Sequence, residues 1–410
     1  MKQTTKPTLQ LLQRTALLLT LGVTPAMGYD ILTSEYLFGD WAGQRTSLKE
    51  QGYDFTFNYT GDTQWNFGGP EEKMSFFGRA RFIADIDLEK AAGWEGGRIF
   101  ISALSQDGDL AHTRAGTYSP LSSIAGADTT RLDQLFFEQT LFDDLFRIRI
   151  GQVAGVDEFG AQPYGGYFVN NQLGYATNLE FNSRIPFNAG AQPGVIFEVG
   201  RQEGLYAKAG LFSGKPDPFN NDKHGVDFDI EDDSTVYAAE VGYRFGGDLP
   251  GDIRIGGHYN DGTFTRIDTG AEVDDNYVVY AMANKTVWQD PTDKKRGIDL
   301  GISAFFAPTS RNATSSEILI SAAYRGIIPC RPDDFLSFGF VRNDFGDEAS
   351  DASRASGFGS LSEEYVLELS YKYQVTPAFA IQPDIQYILN PSGTSRSDVF
   401  VAGFRTSINF

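Results

Sequence analysis

The sequence predicts an all-β transmembrane barrel of sixteen antiparallel strands, preceded by a short helix at its periplasmic mouth. Three observations predict it. The chain opens like an exported protein but has no later apolar run long enough for a spanning helix. Its segments alternate apolar and strongly polar residues with period two. Its last residue, Phe410, ends an alternating apolar face.

The N-terminus sets the compartment. Lys2, Lys6 and Arg14 precede a short apolar core of Leu17, Leu18, Leu19, Leu21 and Val23. Ala26 and Gly28 then supply the small residues that a signal peptidase reads. A buried N-terminal helix fits these flanks less well. Residues 1–28 are therefore expected to be removed, leaving 29–52 as a periplasmic segment and 53–410 as the barrel. A chain of 410 residues is too long for one ordinary soluble core, but one large barrel accommodates it. Mean hydropathy is −0.28. Lipid offers backbone amides no partners, so a chain that crosses without helices must close its strands into a barrel. The 33 Phe and 19 Tyr suit aromatic girdles, and the 45 Gly suit turns and tight interior positions.

Charge and cysteine narrow the function. Net charge is −20 and becomes more negative without the three cations of 1–28, which excludes the basic footprint of a nucleic-acid binder. Acidic loops are compatible with divalent cations among lipopolysaccharide headgroups, although solvated loop charge is the simpler account. Cys330 is the single cysteine and has no partner for an internal disulfide. No His stands near it in sequence to serve as a base.

In chain order, Asp40 is placed to cap a short helix and Gly52 to end it. Tyr53, Phe55, Phe57 and Tyr59 then alternate with polar residues. So do Tyr237–Phe245, Tyr365–Val375 and Phe379–Tyr387. Strands are expected near 53–60, 76–89, 96–105, 134–142, 145–153, 194–200, 204–212, 234–246, 252–261, 277–288, 297–307, 316–327, 335–343, 363–376, 378–389 and 399–410. The stretch 166–185 reads as an extra strand or a loop. Turn-like segments such as 248–252, 329–334 and 375–377 separate strands. A soluble sandwich also alternates. Here, however, Tyr and Phe gather near strand ends, and the polar face carries Glu368, Lys372, Gln382 and Asp384, as a watery lumen requires. Phe400, Ala402, Phe404, Thr406, Ile408 and Phe410 share one face, resembling the signal read by the barrel-assembly machinery.

Four ordered stretches resemble the OprB-type carbohydrate-selective porins: Tyr36-Leu37-Phe38-Gly39-Asp40-Trp41-Ala42-Gly43-Gln44-Arg45, Tyr324 to Asp334, Ile381 to Pro391, and Gly403 to Phe410. Ala42 and Cys330 stand where that family commonly has glycine. The resemblance implies a sixteen-stranded barrel for small hydrophilic solutes, above all glucose and related sugars. It extends to polyol-like acids, so it fixes the pore and leaves the solute open. Outer-membrane lipid and lipopolysaccharide are the expected surroundings. No cofactor or metal is implied.

A sugar pore needs weak hydrogen-bonding groups and aromatic faces. Alternation places Arg79, Arg81, Asp85 and Asp87 on one face. Arginine on the lipid face costs roughly 2–4 kcal/mol at the midplane, so this face is the lumen. The same rule turns Arg98, Ser102, Arg147, Arg149, Glu198, Lys208, Glu240, Arg244, Arg254, Glu368, Asp384 and Arg405 inward. Many of these are expected to pair with one another. Arg79, Arg81 and Arg98 lead as selecting residues because they cluster on adjacent strands. Residues 106–131, with His112, Arg114 and Tyr118, form either an inward fold that narrows the pore or an ordinary extracellular loop. The acidic run 227–233 could hold Ca²⁺ but lacks EF-hand spacing, so a solvated charge run is the better reading.

Three other functions compete with sugar diffusion. The inward arginines would suit small organic acids. A barrel enzyme needs a Ser/His or Asp/His constellation at a rim, and His112, His224 and His258 are the only histidines. His258 falls on the lumen face, away from any such nucleophile, and no catalytic residue is assigned. A structural barrel would not conduct.

Overall fold

The computed structural model describes residues 30–108, 111–126, 128–214, 224–226, 228 and 234–410. The expected export segment 1–28 lies outside these, as does the acidic run 227–233 apart from Phe228.

The wall runs through β1 (Tyr53–Phe67), β2 (Lys73–Asp87), β3 (Gly97–Asp107), β4 (Thr129–Leu141), β5 (Phe146–Val153), β6 (Gln192–Gly200), β7 (Gly204–Ser213), β8 (Thr235–Phe245) and β9 (Gly251–Asn260). A small hairpin, β10 (Phe264–Thr265) and β11 (Glu272–Val273), stands outside it. The wall resumes with β12 (Asn276–Gln289), β13 (Gly297–Phe306), β14 (Thr314–Arg325), β15 (Phe335–Phe345), β16 (Glu363–Thr376), β17 (Phe379–Leu389) and β18 (Val399–Asn409). Each strand pairs antiparallel with its chain neighbours, and β1 pairs with β18 to close a barrel of sixteen strands. Closure leaves the barrel itself without an edge strand. At the seam Asp62 faces Arg405, and the two form an ion pair at 2.7 Å inside the barrel.

All sixteen expected strands are present. β1 extends beyond residue 60 because Trp65 and Phe67 continue the outward aromatic face, stacked at 5.3 Å. β4 begins earlier than expected, at Thr129. The stretch 166–185 contributes no barrel strand. It holds a 3₁₀ turn at Gly165–Tyr167 and a π-helical turn at Asn178–Asn182. Connections at one end are short, such as 142–145, 201–203 and 377–378. At the other end 108–128, 154–191 and 346–362 are long. In outer-membrane barrels the short turns are periplasmic and the long loops extracellular.

The helix before the barrel is a 3₁₀ turn, Trp41–Gly43, leading into an α-helix, Gln44–Glu50. Asp40 Oδ1 accepts from the Thr46 amide at 2.8 Å. Gly52 ends the segment at φ +93°, where a Cβ would come within 2.5 Å of the Asp87 carbonyl oxygen. Ala42 is held at φ +58°, a left-handed conformation that glycine takes freely and alanine adopts at a cost of about 1–2 kcal/mol.

Outward positions such as Phe82, Ile150, Phe197, Ile253, Ile255 and Ile302 are exposed apolar side chains. Inward positions are largely polar, as expected, but part of the inner wall is apolar and packed rather than watery. Leu319, Val341, Val366, Ile388 and Val399 lie in cross-strand register on the inner wall from β14 to β18, all buried. They are buried because chain folded into the barrel packs on them.

Candidate functional site

Two extracellular connections turn into the lumen. The first comprises residues 111–126, after β3, and the second 154–191, after β5. A segment buried inside a barrel must find partners for its backbone amides, and three wall glutamates supply them in one way. Glu364 accepts from the amides of Tyr118 and Ser119 at 2.7 and 2.9 Å. Glu368 accepts from those of Val169 and Asn170, both at 2.8 Å. Glu317 accepts from those of Thr177 and Asn178, at 3.3 and 3.0 Å. Each carboxylate clamps two consecutive N–H groups. Neutral amides complete the anchoring: Gln64 and Gln386 both donate to the Leu121 carbonyl at 2.8 Å. Arg405 holds both segments, donating to the Phe168 carbonyl at 3.1 Å and to Ser123 Oγ at 2.9 Å.

The wall leaves room for these segments. A Cβ at Gly339 would meet Leu173 Cδ1 at 2.2 Å, so the second segment seats where β15 has no side chain. Residues 106–131 therefore include an inward fold, and 154–191 forms a second one that strand alternation does not announce.

Between the two segments and the β2–β3–β18 wall lies a cavity of about 750 Å³. Arg79 and Arg81 line it from β2, and His112 and Ser123 from the first segment. Asp157, Tyr175 and Asn188 line it from the second, with aromatic faces from Phe168, Phe181 and Phe187. Arg79 Nε donates to Gln106 Oε1 at 2.9 Å, and among the described residues Arg79 makes no ion pair. Arg81 pairs with Asp133 at 3.1 Å and donates to Asn188 Oδ1 at 3.2 Å. Asp157 accepts from Tyr175 OH at 3.0 Å, Asn188 Nδ2 at 2.7 Å and Gln134 Nε2 at 3.2 Å. Burial pushes its carboxyl above the ordinary range, against the hydrogen bonds from Tyr175 and Asn188.

Arg405, also turned inward by the sequence, lines the cavity from β18, while most of the other charges singled out lie elsewhere in the barrel. Arg98 is held by Asp85 through two bonds of 2.7 Å and by Glu138 at 3.2 Å, apart from the cavity. Asp87 accepts from the amides of Glu89 and Lys90 and caps the turn helix Leu88–Ala92. Arg147 and Arg149 bind Glu158, at the root of the second segment, at 2.7 and 2.8 Å. Glu138 joins that cluster, 2.6 Å from Arg149, and Arg147 also pairs with Glu198. Glu368 is the clamp described above, and Asp384 accepts from Gln386 at 2.9 Å. Of the inward charges read from the sequence, Arg79, Arg81 and Arg405 line the cavity. Sequence reasoning missed Asp157, Glu158, Tyr175 and Asn188. The available signal was length: a connection as long as 154–191 in a compact barrel has its own task.

Comparison with known proteins agrees with this architecture. The family model for the carbohydrate-selective porin, OprB family, matches residues 71–410. The chain is 23% identical over 428 aligned residues to the putative porin QuiX of Acinetobacter baylyi, covering 92% of this chain and 93% of that one. It is 24% identical over 427 residues to Porin B of Pseudomonas aeruginosa, covering 92% of each. The high-pH structure of Pseudomonas putida OprB matches with a TM-score of 0.86 at 22% identity, over 93% of this chain and 100% of that one.

Proposed function

This chain belongs to the OprB family of carbohydrate-selective porins, and on that premise we propose that it admits small neutral polyhydroxylated solutes, glucose foremost, by passive diffusion. It is an outer-membrane porin and no enzyme.

The observation that carries the solute reading is the composition of the central cavity. Arginine donors, a hydrogen-bonded carboxylate, a tyrosine hydroxyl and an amide stand beside phenylalanine faces. Hydroxyl groups exchange readily among such partners, and sugar C–H surfaces slide along aromatic rings. Each contact is weak enough to release the solute. Arg79 and Arg81 are the residues we assign to solute contact. A second reading, small organic acids, is favoured by Arg79, whose charge has no counter-ion among the described residues. Planar-bilayer recordings separate the two. Millimolar glucose should reduce single-channel current and equilibrate across the membrane. Block by a small carboxylate with none by glucose would exclude the sugar reading.

We infer further that residues 1–28 direct export, that 29–52 form a segment at the periplasmic mouth, and that the Phe410 strand is what the assembly machinery engages. Lipid and lipopolysaccharide then surround the outward aromatic face.

A further inference from the structure

The inward segment 154–191 has two sides. Gln162, Gly165 and Gly166 face the central cavity. Pro163, Tyr164 and Tyr167 face a second chamber of about 580 Å³, against β7–β9 and β12–β14. That volume lies within the roughly 300–1,000 Å³ typical of small-molecule sites. The chamber opens among strand ends joined by short turns, so it occupies the periplasmic half of the lumen.

Its floor is aromatic. Tyr164 and Tyr167 stack with centroids 6.0 Å apart and ring planes at 19°. Tyr167 is fixed by its hydroxyl, which donates to Asp299 at 2.9 Å, and by edge contact with Phe335 at 4.6 Å. Tyr164 lies over bare backbone: a Cβ at Gly301 would come within 3.4 Å of its ring. The rim supplies unused acceptor capacity. Asp252 Oδ1 accepts from Asn284 only at 3.4 Å. Among the described residues Asp252 Oδ2 is buried without a hydrogen bond, and its ion-pair partner there is Arg254, at 3.4 Å. A fixed aromatic platform beside an under-bonded carboxylate is complementary to a ring that carries C–H groups on one face and hydroxyls at its edge.

We propose that this chamber is a second solute subsite, in which a polyhydroxylated ring lies on Tyr164 and donates a hydroxyl to Asp252 after leaving the central cavity. The inference rests on the porin reading above. Two weak sites in series let solute pass without being trapped.

The test is single-channel block by D-glucose added from the short-turn side, in wild type, Tyr164→Ala, Tyr164→Phe and Asp252→Asn. The half-blocking concentration should rise about fivefold in Tyr164→Ala and about threefold in Asp252→Asn. Tyr164→Phe keeps the platform and should restore most of the block. Unchanged block in Tyr164→Ala, or equal loss in Tyr164→Phe, overturns the subsite while glucose flux through wild type keeps the porin reading intact. Absence of glucose flux through wild type overturns both.

Discussion

Arg79 leaves β2 toward the central cavity with one hydrogen bond to Gln106 and no counter-ion among the described residues. A cation in that state acts on whatever passes, whereas Arg98, gripped by Asp85 and Glu138, is neutralised in place. Arg79→Gln should therefore lower the anion-to-cation permeability ratio about threefold, read as a shift in reversal potential under a salt gradient. Arg98→Gln should shift it far less. Asp157 adds a pH dependence. Burial raises its carboxyl, so as pH falls it takes up a proton earlier than an exposed aspartate. The cavity then loses negative charge, and anion preference should rise on acidification. In Asp157→Asn that rise should be missing, and a variant that titrates like wild type would exclude Asp157 as its source. The facing of Arg79 and Arg98 was legible in the sequence, because lipid forbids charge on the other side of the strand. Their pairing was not. It depends on registers between strands, and on Asp157 and Glu158 from a segment with no period to read.

At the scale of elements, the inward segments are held by paired backbone amides on Glu364, Glu368 and Glu317 and seated on glycine. Glu368→Ala strips two amides of their acceptor, at roughly 1–3 kcal/mol for each buried donor left unpaired. The second segment should loosen while the barrel persists, giving larger and noisier single-channel currents. Gly339→Val should do the same by overpacking against Leu173, at about 1–3 kcal/mol. Currents indistinguishable from wild type in both variants would mean that the segment does not restrict the pore. The helix segment offers the opposite sign. Ala42→Gly relieves a left-handed alanine and should stabilise the N-terminal turn by about 1 kcal/mol, visible as slower hydrogen exchange in residues 40–46. The strands were legible from alternation. The inward segments left a fainter mark, an alternation that fails: Leu319 between Ile318 and Ile320, and Val401 beside Phe400, put apolar side chains on both faces. A strand with two apolar faces has lipid on one side and packed protein on the other.

For the whole molecule, closure, sixteen strands and an outward apolar belt follow from one constraint, that every backbone amide in lipid must be paired within the protein. That constraint acts locally on every strand, and for this reason the barrel could be read residue by residue from the sequence. The contents of the lumen answer to a different requirement: partners for a folded-in chain and a graded path for solute. Those contacts join residues far apart in sequence, as Tyr118 and Glu364 do, and no local pattern announces them. On this architecture the lumen should pass small neutral polyhydroxylated solutes by diffusion. The decisive measurement is swelling of liposomes that hold the purified protein, in isosmotic D-glucose and in matched salts of small carboxylates. Swelling should be rapid in glucose and slowed in Arg79→Gln/Arg81→Gln. Swelling in the carboxylate salts with none in glucose would exclude diffusion of neutral polyhydroxylated solutes as the role of this lumen.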